Sequence, residues 1–434
     1  MALQYSTVWE VRAGSGSDTN GGGFDPGVSS PGTDFSQQNS AQKAYTDLVA
    51  ASGTTITSVA RAFSSTDPGN FLQITGGSGW TAGIYLIQSV TSGTATVDRT
   101  IATGGSTGGT GNFGGALNSL TFAISTCVAG NTFYCKGTET ITATINMAGG
   151  GQIVSSDYFP MKIVGYTTTR TDNGRYTITC ATNSVNLLTS AGIGNINFYN
   201  IHFVHTASTR GHGTSFTAPT GQWRFKNCLW DGLNRGINSD YNVNWNLDLL
   251  LLDNCEIKNS ISHAVYMAGN IMGVECYIHD SGGDGTNDTS GGPKGPQKWI
   301  NTVFRSNVRG IYSSVNASEN SSAINCAFDN NSSDGVKTEA GVDAFYSLNS
   351  FFTNNGGFGY NAVGKPYAYF GGNNFYYNNT SGALSSSVSA LPGDVTGTAT
   401  PYTNAAGNDF TINSTAGGGA AAKAAGRQIN IPLP

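Results

Sequence analysis

Residues 325–335 read "NCAFDNNSSDG", and the six-residue word that opens this stretch returns along the chain with small changes. Most copies begin with Asn, place Cys or a small polar residue second, and place an aliphatic or aromatic residue fourth. The copies are NIHFVH at 200, NCLWDG at 227, NCEIKN at 254, ECYIHD at 275, NTVFRS at 301, NCAFDN at 325, NSFFTN at 349 and NNFYYN at 373. They lie 27, 27, 21, 26, 24, 24 and 24 residues apart, and a shorter word such as "GVK" at 335 follows nine or ten residues after most of them.

A repeat in the twenties, made of short strand-like words separated by Gly and Asn, is typical of a solenoid whose turns stack on one another. A leucine-rich repeat would show its Leu and Asn consensus, and a propeller blade needs roughly 40 residues or more. We therefore expect an all-β chain with a parallel β-helix over residues 111–385.

The composition agrees with an all-β fold. Charged residues make up 11% of the chain and Gly accounts for 60 of 434 residues, whereas soluble proteins average about 25% charged residues and about 7% Gly. Asn, Ser and Thr take the place of Lys and Glu. Gly, Asn, Ser and Thr are poor helix formers, while Thr, Val, Ile, Tyr and Phe suit strands.

Charge and hydropathy bear on nucleic-acid binding, membrane insertion and secretion. A net charge of -5 without a basic run gives no indication of nucleic-acid binding. The longest aliphatic run, Leu249 to Leu252, is far too short to cross a membrane, and the N-terminus lacks the charged start and apolar block of a secretion signal. We expect a protein that is made in a cytoplasm, is not exported by the general pathway and does not bind a membrane.

Alternation within each word predicts which side chains point inward. The second and fourth residues should face the core, and the third and fifth should face outward. Cys228, Cys255, Cys276 and Cys326 then form an inward column about 4.8 Å apart, as buried free thiols. The leading Asn is expected at a corner before each strand, where side-chain amides bond along the stack and a left-handed backbone is tolerated.

Both ends of the chain break the repeat. In residues 1–110, the stretches "FLQIT", "IYLIQSV" and "TATVDRTI" alternate and are joined by Gly-rich turns, which predicts a small antiparallel β module. Residues 386–434 carry no copy of the word. Because a solenoid must cover its last turn, this segment is predicted to be the C-terminal cap.

The repeat over roughly residues 115–385 resembles the right-handed parallel β-helix class of pectate-lyase-like proteins. That resemblance is specific for the fold and not for an activity, because the same solenoid carries lyases, hydrolases, adhesins and structural rods.

A second resemblance rests on "VWEVRAGSGSDTNGGGFDPG" and "FSSTDPGNFLQITGGSGWTAGIYLIQSV" near the start and "PYTNAAGNDFTINSTAGGGAAAKAAG" near the end. These stretches are similar to β-helix proteins of tailed bacteriophages. The resemblance implies a virion protein whose N-terminal module docks to the particle. We expect a non-enzymatic capsid decoration or head spike protein that contacts the major capsid protein or a neck or tail protein and can bind host-surface glycans. The alternative is a tail-spike receptor-binding protein with polysaccharide lyase or glycosidase activity.

The fifth residues of the words supply the candidate catalytic groups. Asp231 should lie beside Lys258 and Arg305 beside Asp329, with His279 between the two pairs. Glu256 lies next to Asp231 in the adjacent column. Cleavage of a glycosidic bond needs two carboxylates roughly 5 to 9.5 Å apart. A depolymerase would therefore use Asp231, Glu256, Lys258 and His279, whereas surface ion pairs are the commoner use of such residues.

One stretch suggests a cation. "HDSGGDGTND" holds Asp280, Asp284 and Asp288 and nearly matches a calcium-binding glycine-rich repeat, although only one copy is present. Clustered carboxylates suit Ca²⁺, and a turn rich in Gly and Asp is the other interpretation. We expect no other cofactor.

The third residues of the words form an apolar outward stripe. From Tyr277 onward it contains Val303, Phe351 and Phe375, and such a surface needs a cover. A homotrimer would bury it along a three-fold axis, as is common for phage β-helix proteins. The other cover is a loop or the tail after Leu384.

Overall fold

The computed structural model describes residues 6–126, 130–147, 160–190, 194–216, 220–239, 246–266, 270–288, 295–313, 321–339, 344–364 and 369–426. The chain divides into two compact units. The first unit comprises residues 1–141, 145–179 and 193–202, and the second comprises residues 142–144, 180–192 and 203–434.

Six antiparallel strands in the first unit close into a barrel. Around the barrel they are Lys43–Ser52, Thr55–Thr57, Thr94–Val97, Gly83–Thr91, Phe71–Gly76 and Gly109–Phe113. Alternate residues fill its interior, among them the fully buried Leu48 and Ile87. The antiparallel module is therefore present, and its closure into a barrel removes exposed strand edges. The predicted boundary at residue 110 falls inside the last barrel strand, which shows that the module extends to Phe113.

The first unit also contains the first parallel strands of three sheets, here called sheets 1, 2 and 3. In sheet 1 the order is Gly23–Phe24, Val8–Arg12, Thr132–Lys136, Met161–Tyr166 and Ile196–Tyr199; sheet 2 has Thr138–Ile141 and Tyr176–Cys180; sheet 3 has Ile145–Asn146. Because Val8–Arg12 pairs in parallel with Thr132–Lys136, this strand belongs to sheet 1 and not to the barrel. A short helix, Leu120–Thr126, begins after Ser119, whose Oγ accepts from the Phe122 N–H at 3.1 Å.

The second unit is a parallel β-helix. Sheet 1 here comprises Thr220–Lys226, Asn246–Asp253, Ile271–Val274, Gln297–Ile300, Ser321–Ile324, Phe345–Leu348 and Tyr369–Gly372. Sheet 2 comprises Leu229–Asp231, Glu256–Lys258, Tyr277–His279, Val303–Arg305, Ala327–Asp329, Phe351–Thr353, Phe375–Tyr377 and Val395–Thr396, and its strand Ile201–His205 contains the boundary between the two units. Sheet 3 comprises Leu188–Ser190, Thr214–Phe216, Ile237–Asn238, Val265–Tyr266, Thr286–Asn287, Ile311–Ser313, Val336–Thr338, Phe358–Ala362 and Gly382–Leu384. Within the described residues, seven consecutive turns between 220 and 384 each give one strand to every sheet.

The register of sheet 2 follows the alignment of the repeated word. Val303 pairs with Ala327 and Ala327 with Phe351, so the third residues of the words form one column. The fourth residues stack in the core, where the ring centroids of Phe328 and Phe352 are 4.9 Å apart. Cys228, Cys255, Cys276 and Cys326 are buried free thiols, as predicted.

Left-handed asparagines form the corners. The leading Asn of the word has positive φ in its copies, for example 53° at Asn325 and 51° at Asn349. Asn325 Nδ2 donates to Asn301 Oδ1 at 3.2 Å, and Asn349 Nδ2 donates to Asn325 Oδ1 at 3.2 Å, which confirms the predicted amide ladder. A second ladder runs inside the coil, where Asn331 Nδ2 donates to Asn355 Oδ1 at 2.9 Å. The sequence pattern did not indicate that second ladder.

Glycine recurs in the shorter word because two backbones meet there. A Cβ atom at Gly335 would lie 2.6 Å from the carbonyl oxygen of Gly359 in the next turn, and one at Gly310 would lie 2.6 Å from that of Gly335. Cβ atoms essentially never lie this close to a carbonyl oxygen, so a side chain at Gly310 or Gly335 would force the neighbouring backbone to shift.

The last segment of the second unit, residues 395–426, is here called the C-terminal segment. Val395–Thr396 pairs in parallel with Phe375–Tyr377 and adds a strand to sheet 2 after the last full turn. Tyr402–Asn404 and Asp409–Ile412 then form an antiparallel pair joined by a 3-10 turn, Ala405–Gly407, and the helix Gly419–Ala425 follows. None of the helices in the described parts of the chain has the length and apolar content needed to span a membrane.

Candidate functional site on the outer face of sheet 2

Three short strands of sheet 2 place charged side chains in two neighbouring columns. Asp231 pairs with Lys258, and Lys258 pairs with His279, while Glu256 pairs with Tyr277. Each strand has only three residues. Left-handed residues bound the middle strand at Asn254 and Asn259, with φ of 51° and 54°. The side chains of Asp231, Glu256, Lys258 and His279, here called the charged row, therefore start from a backbone whose position is fixed by strand pairing.

Lys258 joins two carboxylates of the charged row. Its Nζ lies 3.2 Å from Glu256 Oε1 and 3.9 Å from Asp231 Oδ2. Asp231 also accepts a 2.8 Å hydrogen bond from Asn259 Nδ2. The predicted pairing of Asp231 with Lys258 is thus confirmed, and Lys258 additionally connects Asp231 to Glu256.

His279 has side-chain partners that the sequence pattern did not indicate. Its Nε2 lies 3.2 Å from Glu256 Oε1, and its Nδ1 lies 2.7 Å from Asp280 Oδ2. The imidazole is 9% exposed and stacks on the ring of Tyr277 at a centroid distance of 3.9 Å. His279 lies in register between Lys258 and Arg305, which confirms its predicted position between the two ion pairs. Its bond to Glu256 was not predicted; it forms because the third-column side chain reaches across to the fifth column.

The surroundings of Glu256 shift the pKa of its carboxyl group. The hydrogen bond with His279, together with the bond and charge of Lys258, lowers the pKa of Glu256 to about 2 despite partial burial. Glu256 is therefore a carboxylate at neutral pH, which suits it to accept hydrogen bonds or to stabilise positive charge and makes it unsuitable as a general acid.

The accessible part of the charged row consists of three side chains. Asp231, Glu256 and Lys258 are 31%, 30% and 26% exposed. Two acceptor groups and one donor group therefore face solvent next to the ring of Tyr277. A row of this kind can hydrogen-bond a ligand that carries several hydroxyl groups.

The fifth column is not outward along its whole length. Arg305 Nε lies 3.6 Å from Asp329 Oδ2, which confirms that pair. However, Asp329 and Thr353 are buried, and Thr353 Oγ1 donates to Asp329 Oδ1 at 2.7 Å. The expectation of an outward column is wrong there. The Tyr402 hydroxyl of the C-terminal segment is also buried, and its burial, followed by the negative charge of Asp329, raises its pKa.

The apolar stripe predicted as a subunit interface is covered by the chain itself. The hydroxyl of Tyr277 donates to Asn408 Oδ1 at 2.7 Å, and the ring of Phe410 packs against Tyr277 at 6.3 Å. Tyr402 packs against Phe351 at 5.7 Å. These contacts correct the argument that the stripe requires a trimer, and they correspond to the alternative in which the tail after Leu384 provides the cover.

At the other end of the stripe, Phe375 is 2% exposed while Val303 is half-buried. The aromatic end of the stripe is therefore a core beneath the C-terminal segment. A subunit contact that uses these side chains would first have to displace that segment.

The three carboxylates of the calcium hypothesis do not form a cation site. Asp284 is held by Arg309, whose Nε and Nη2 lie 2.6 and 3.0 Å from its two oxygens, and Asp280 is held by His279. Asp288 is buried. Among the described residues no group of three or more His, Cys, Asp and Glu side chains could hold a metal ion. The stretch "HDSGGDGTND" is better explained as a turn whose acids bind neighbouring side chains.

Comparisons with known proteins show the fold alone. No protein-family model and no curated protein matches the sequence. Among solved structures, the chain is similar to the pectate lyase Pel9A, with a TM-score of 0.50 and 14% identity over 69% of this chain and 80% of that one. It is also similar to the A-module of the Azotobacter vinelandii mannuronan C-5 epimerase AlgE6, with a TM-score of 0.34 and 12% identity over 62% of this chain and 91% of that one. For the Dettilon tailspike protein the TM-score is 0.30, with 10% identity over 63% and 64%. The fold is the right-handed parallel β-helix of the pectate-lyase type.

Proposed function

We propose that this protein binds a polysaccharide along the outer face of sheet 2 and serves as an attachment protein of a tailed-phage particle. The observation that carries the proposal is the charged row. Asp231, Glu256 and Lys258 are exposed together on rigid three-residue strands beside the ring of Tyr277.

The chemistry of the charged row suits a sugar polymer. Hydroxyl groups donate to the carboxylates of Asp231 and Glu256 and accept from the ammonium group of Lys258. Strands repeat about every 4.8 Å along the coil, so a linear ligand meets equivalent positions in successive turns. A site on strands also holds its side chains more precisely than a site on loops. A pectate lyase shares the fold, and a fold by itself does not imply an activity.

The role in a particle follows from the resemblance of the two chain ends to tailed-phage proteins. In this proposal the N-terminal barrel docks to the virion, and the β-helix presents sheet 2 to the host surface. A capsid decoration without glycan binding is the competing role. The copy number of this chain relative to the major capsid protein, measured by quantitative mass spectrometry of purified particles, separates a head position from a tail position.

Oligomeric state is part of the same proposal. Size-exclusion chromatography with light scattering is expected to give a homotrimer. The subunit contact should not use the stripe beneath the C-terminal segment, so Phe410→Ala should leave the measured mass unchanged.

A second candidate function is cleavage of the bound polysaccharide. Because Asp231 and Glu256 both contact Lys258 Nζ, their nearest oxygens are at most about 7 Å apart, which does not exceed the separation of roughly 5 to 9.5 Å used by glycoside hydrolases. Glu256 would be the charged member, as nucleophile or base, and Asp231 would have to supply the proton. His279 and Lys258 would hold Glu256 in its ionised form.

One experiment tests both functions. Wild-type protein, Glu256→Gln and Asp231→Asn are applied to an array of bacterial capsular and lipopolysaccharide glycans, and soluble hits are assayed for new reducing ends and unsaturated products. Lys298→Gln, an exposed change on sheet 1, is the matched control. Loss of a charged hydrogen-bond partner should weaken binding at least about tenfold in Glu256→Gln, with the control unchanged. Products that disappear in either carboxylate variant establish cleavage; the absence of any glycan bound by the wild type would overturn the proposal.

A further inference from the structure

The C-terminal segment and sheet 2 enclose a groove of about 380 Å³. On its floor Phe351 is half-buried and Phe375 is buried; on the opposite wall Phe410 and Ile412 are half-buried, while Tyr402 is buried against Phe351. The rings of Tyr402 and Phe410 contact each other at 4.9 Å. The cover of the apolar stripe is thus incomplete at the half-buried side chains of Phe351, Phe410 and Ile412, and the groove lies there.

One edge of the groove is polar. The corner amides of Asn301, Asn325 and Asn349 line it, and the helix of the C-terminal segment contributes Lys423. Asn325 uses one N–H for Asn301 and accepts one hydrogen bond from Asn349. An amide has two N–H donors and two lone pairs, so the Asn325 side chain can make further hydrogen bonds.

The groove is connected to the charged row by contacts through Tyr277. Asn408 accepts hydrogen bonds from Tyr277 and from Arg305, and Phe410 packs against the ring of Tyr277. Tyr277 in turn stacks on His279. Along the third column, Glu256 and Phe351 are four strands apart, which is about 19 Å at the usual strand spacing.

We propose that this groove is a second sugar subsite, which takes one pyranose ring of the same polymer that binds at the charged row. The inference rests on the proposed function. A pyranose ring presents C–H groups on its faces, and these suit the negatively charged faces of aromatic rings; its hydroxyl groups suit the Asn edge and Lys423. The volume lies at the lower end of the range of about 300 to 1,000 Å³ for small-ligand pockets, which limits the occupant to about one ring.

The two walls of the groove have different origins. The floor belongs to the repeat, whereas Tyr402 and Phe410 come from the C-terminal segment. A polymer bound at both subsites would therefore contact both parts of the second unit, so chain length should control affinity.

The test measures affinity against ligand length. Oligosaccharides of one to eight residues, prepared from a glycan that binds on the array, are titrated calorimetrically into wild-type protein and three variants. Phe410→Ala opens one wall of the groove at a half-buried position. Phe370→Ala, at a ring that is 50% exposed on sheet 1, removes the same side chain elsewhere in the unit. Glu256→Gln reports on the charged row.

We expect wild-type affinity to rise with length and to gain at least tenfold once the chain spans both subsites. Phe410→Ala should lose that gain and leave binding of the shortest oligosaccharides unchanged. Phe370→Ala should behave as wild type, and Glu256→Gln should weaken ligands of every length. Circular dichroism and the melting temperature establish that each variant is folded.

The outcomes separate the two proposals. Equal affinities of Phe410→Ala and wild type at every length, with Glu256→Gln still weakened, would overturn the groove and leave the charged row intact. If no oligosaccharide binds the wild type, both proposals fail. A shift of Phe410→Ala to a different oligomer would show instead that the groove supports a contact between copies of the chain.

Discussion

The hydroxyl of Tyr277 donates a 2.7 Å hydrogen bond to Oδ1 of Asn408, 131 residues further along the chain. Tyr277 belongs to the repeat and Asn408 to the C-terminal segment. Tyr277 also stacks on His279. The bond therefore connects the C-terminal segment to a ring that contacts the charged row.

Tyr277→Phe removes this bond and keeps the ring. We expect a loss of about 1 kcal/mol and faster proteolysis of the turn around residues 404–408, because the C-terminal segment would open more often. Limited proteolysis with mass spectrometry and thermal unfolding measure the two effects. Tyr346→Phe, at a ring that is 39% exposed, is the control. Equal cleavage rates in the two variants would contradict the assigned role.

Phe328→Ala should be among the most destabilising changes in the second unit. Phe328 is fully buried, and its ring centroid is 5.1 Å from that of Phe304 and 4.9 Å from that of Phe352. Truncation of a buried Phe costs about 3 to 5 kcal/mol. Urea unfolding gives the change, and Phe370→Ala should cost less than about 0.5 kcal/mol. Similar values for both would show that the stack contributes little.

Asn355→Ala should remove several buried hydrogen bonds at once. Asn355 Nδ2 donates to the Phe328 carbonyl at 3.0 Å and to Asn379 Oδ1 at 2.8 Å, and its Oδ1 accepts from Asn331. Each buried partner left unsatisfied costs about 1 to 3 kcal/mol. Asn325→Gly keeps the left-handed corner and should be milder. Urea unfolding compares the two, and a larger effect at residue 325 would mean that the outer ladder dominates.

Glu256 should make stability depend on pH in acid. Its pKa is lowered from an ordinary value of 4.5 to about 2 in the folded protein. The stabilising contribution is therefore present above about pH 4.5 and is lost as the pH falls toward 2. Glu256→Gln should be less stable than wild type at pH 7, by roughly 1 kcal/mol for a partly exposed pair, and the difference should vanish near pH 2. Urea midpoints at several pH values test this. A difference that grows in acid would have the wrong sign.

The buried thiols should be unreactive in the native protein. Cys135, Cys180, Cys228, Cys255, Cys276 and Cys326 are free and buried. Burial raises the pKa of Cys326 to about 12, so little thiolate forms near neutral pH. Titration with a disulfide reagent should count at most one thiol of the seven in the sequence before unfolding, and all of them after it. Rapid reaction of several thiols in the native state would argue against the inward column.

The repeat was readable from the sequence because each turn uses the same local geometry. Cys326 and Phe328 were placed inward by alternation, and Asp231 was placed beside Lys258 by alignment of the words; the structure agrees on these points. The position of His279 was predicted, and its bond to Glu256 was not. Side-chain reach between columns depends on rotamers, which a register does not specify.

The sequence by itself thus determined the parallel β-helix, its register and its inward column, since strand pairing and alternation act between neighbouring turns. Tertiary structure alone decided the closure of the barrel between Lys43–Ser52 and Gly109–Phe113 and the cover of the apolar stripe by Tyr402 and Phe410. Both join segments that share no repeat and lie far apart in the chain. They depend on which exposed edge or apolar surface a distant segment can bury, and a local pattern carries no information about that.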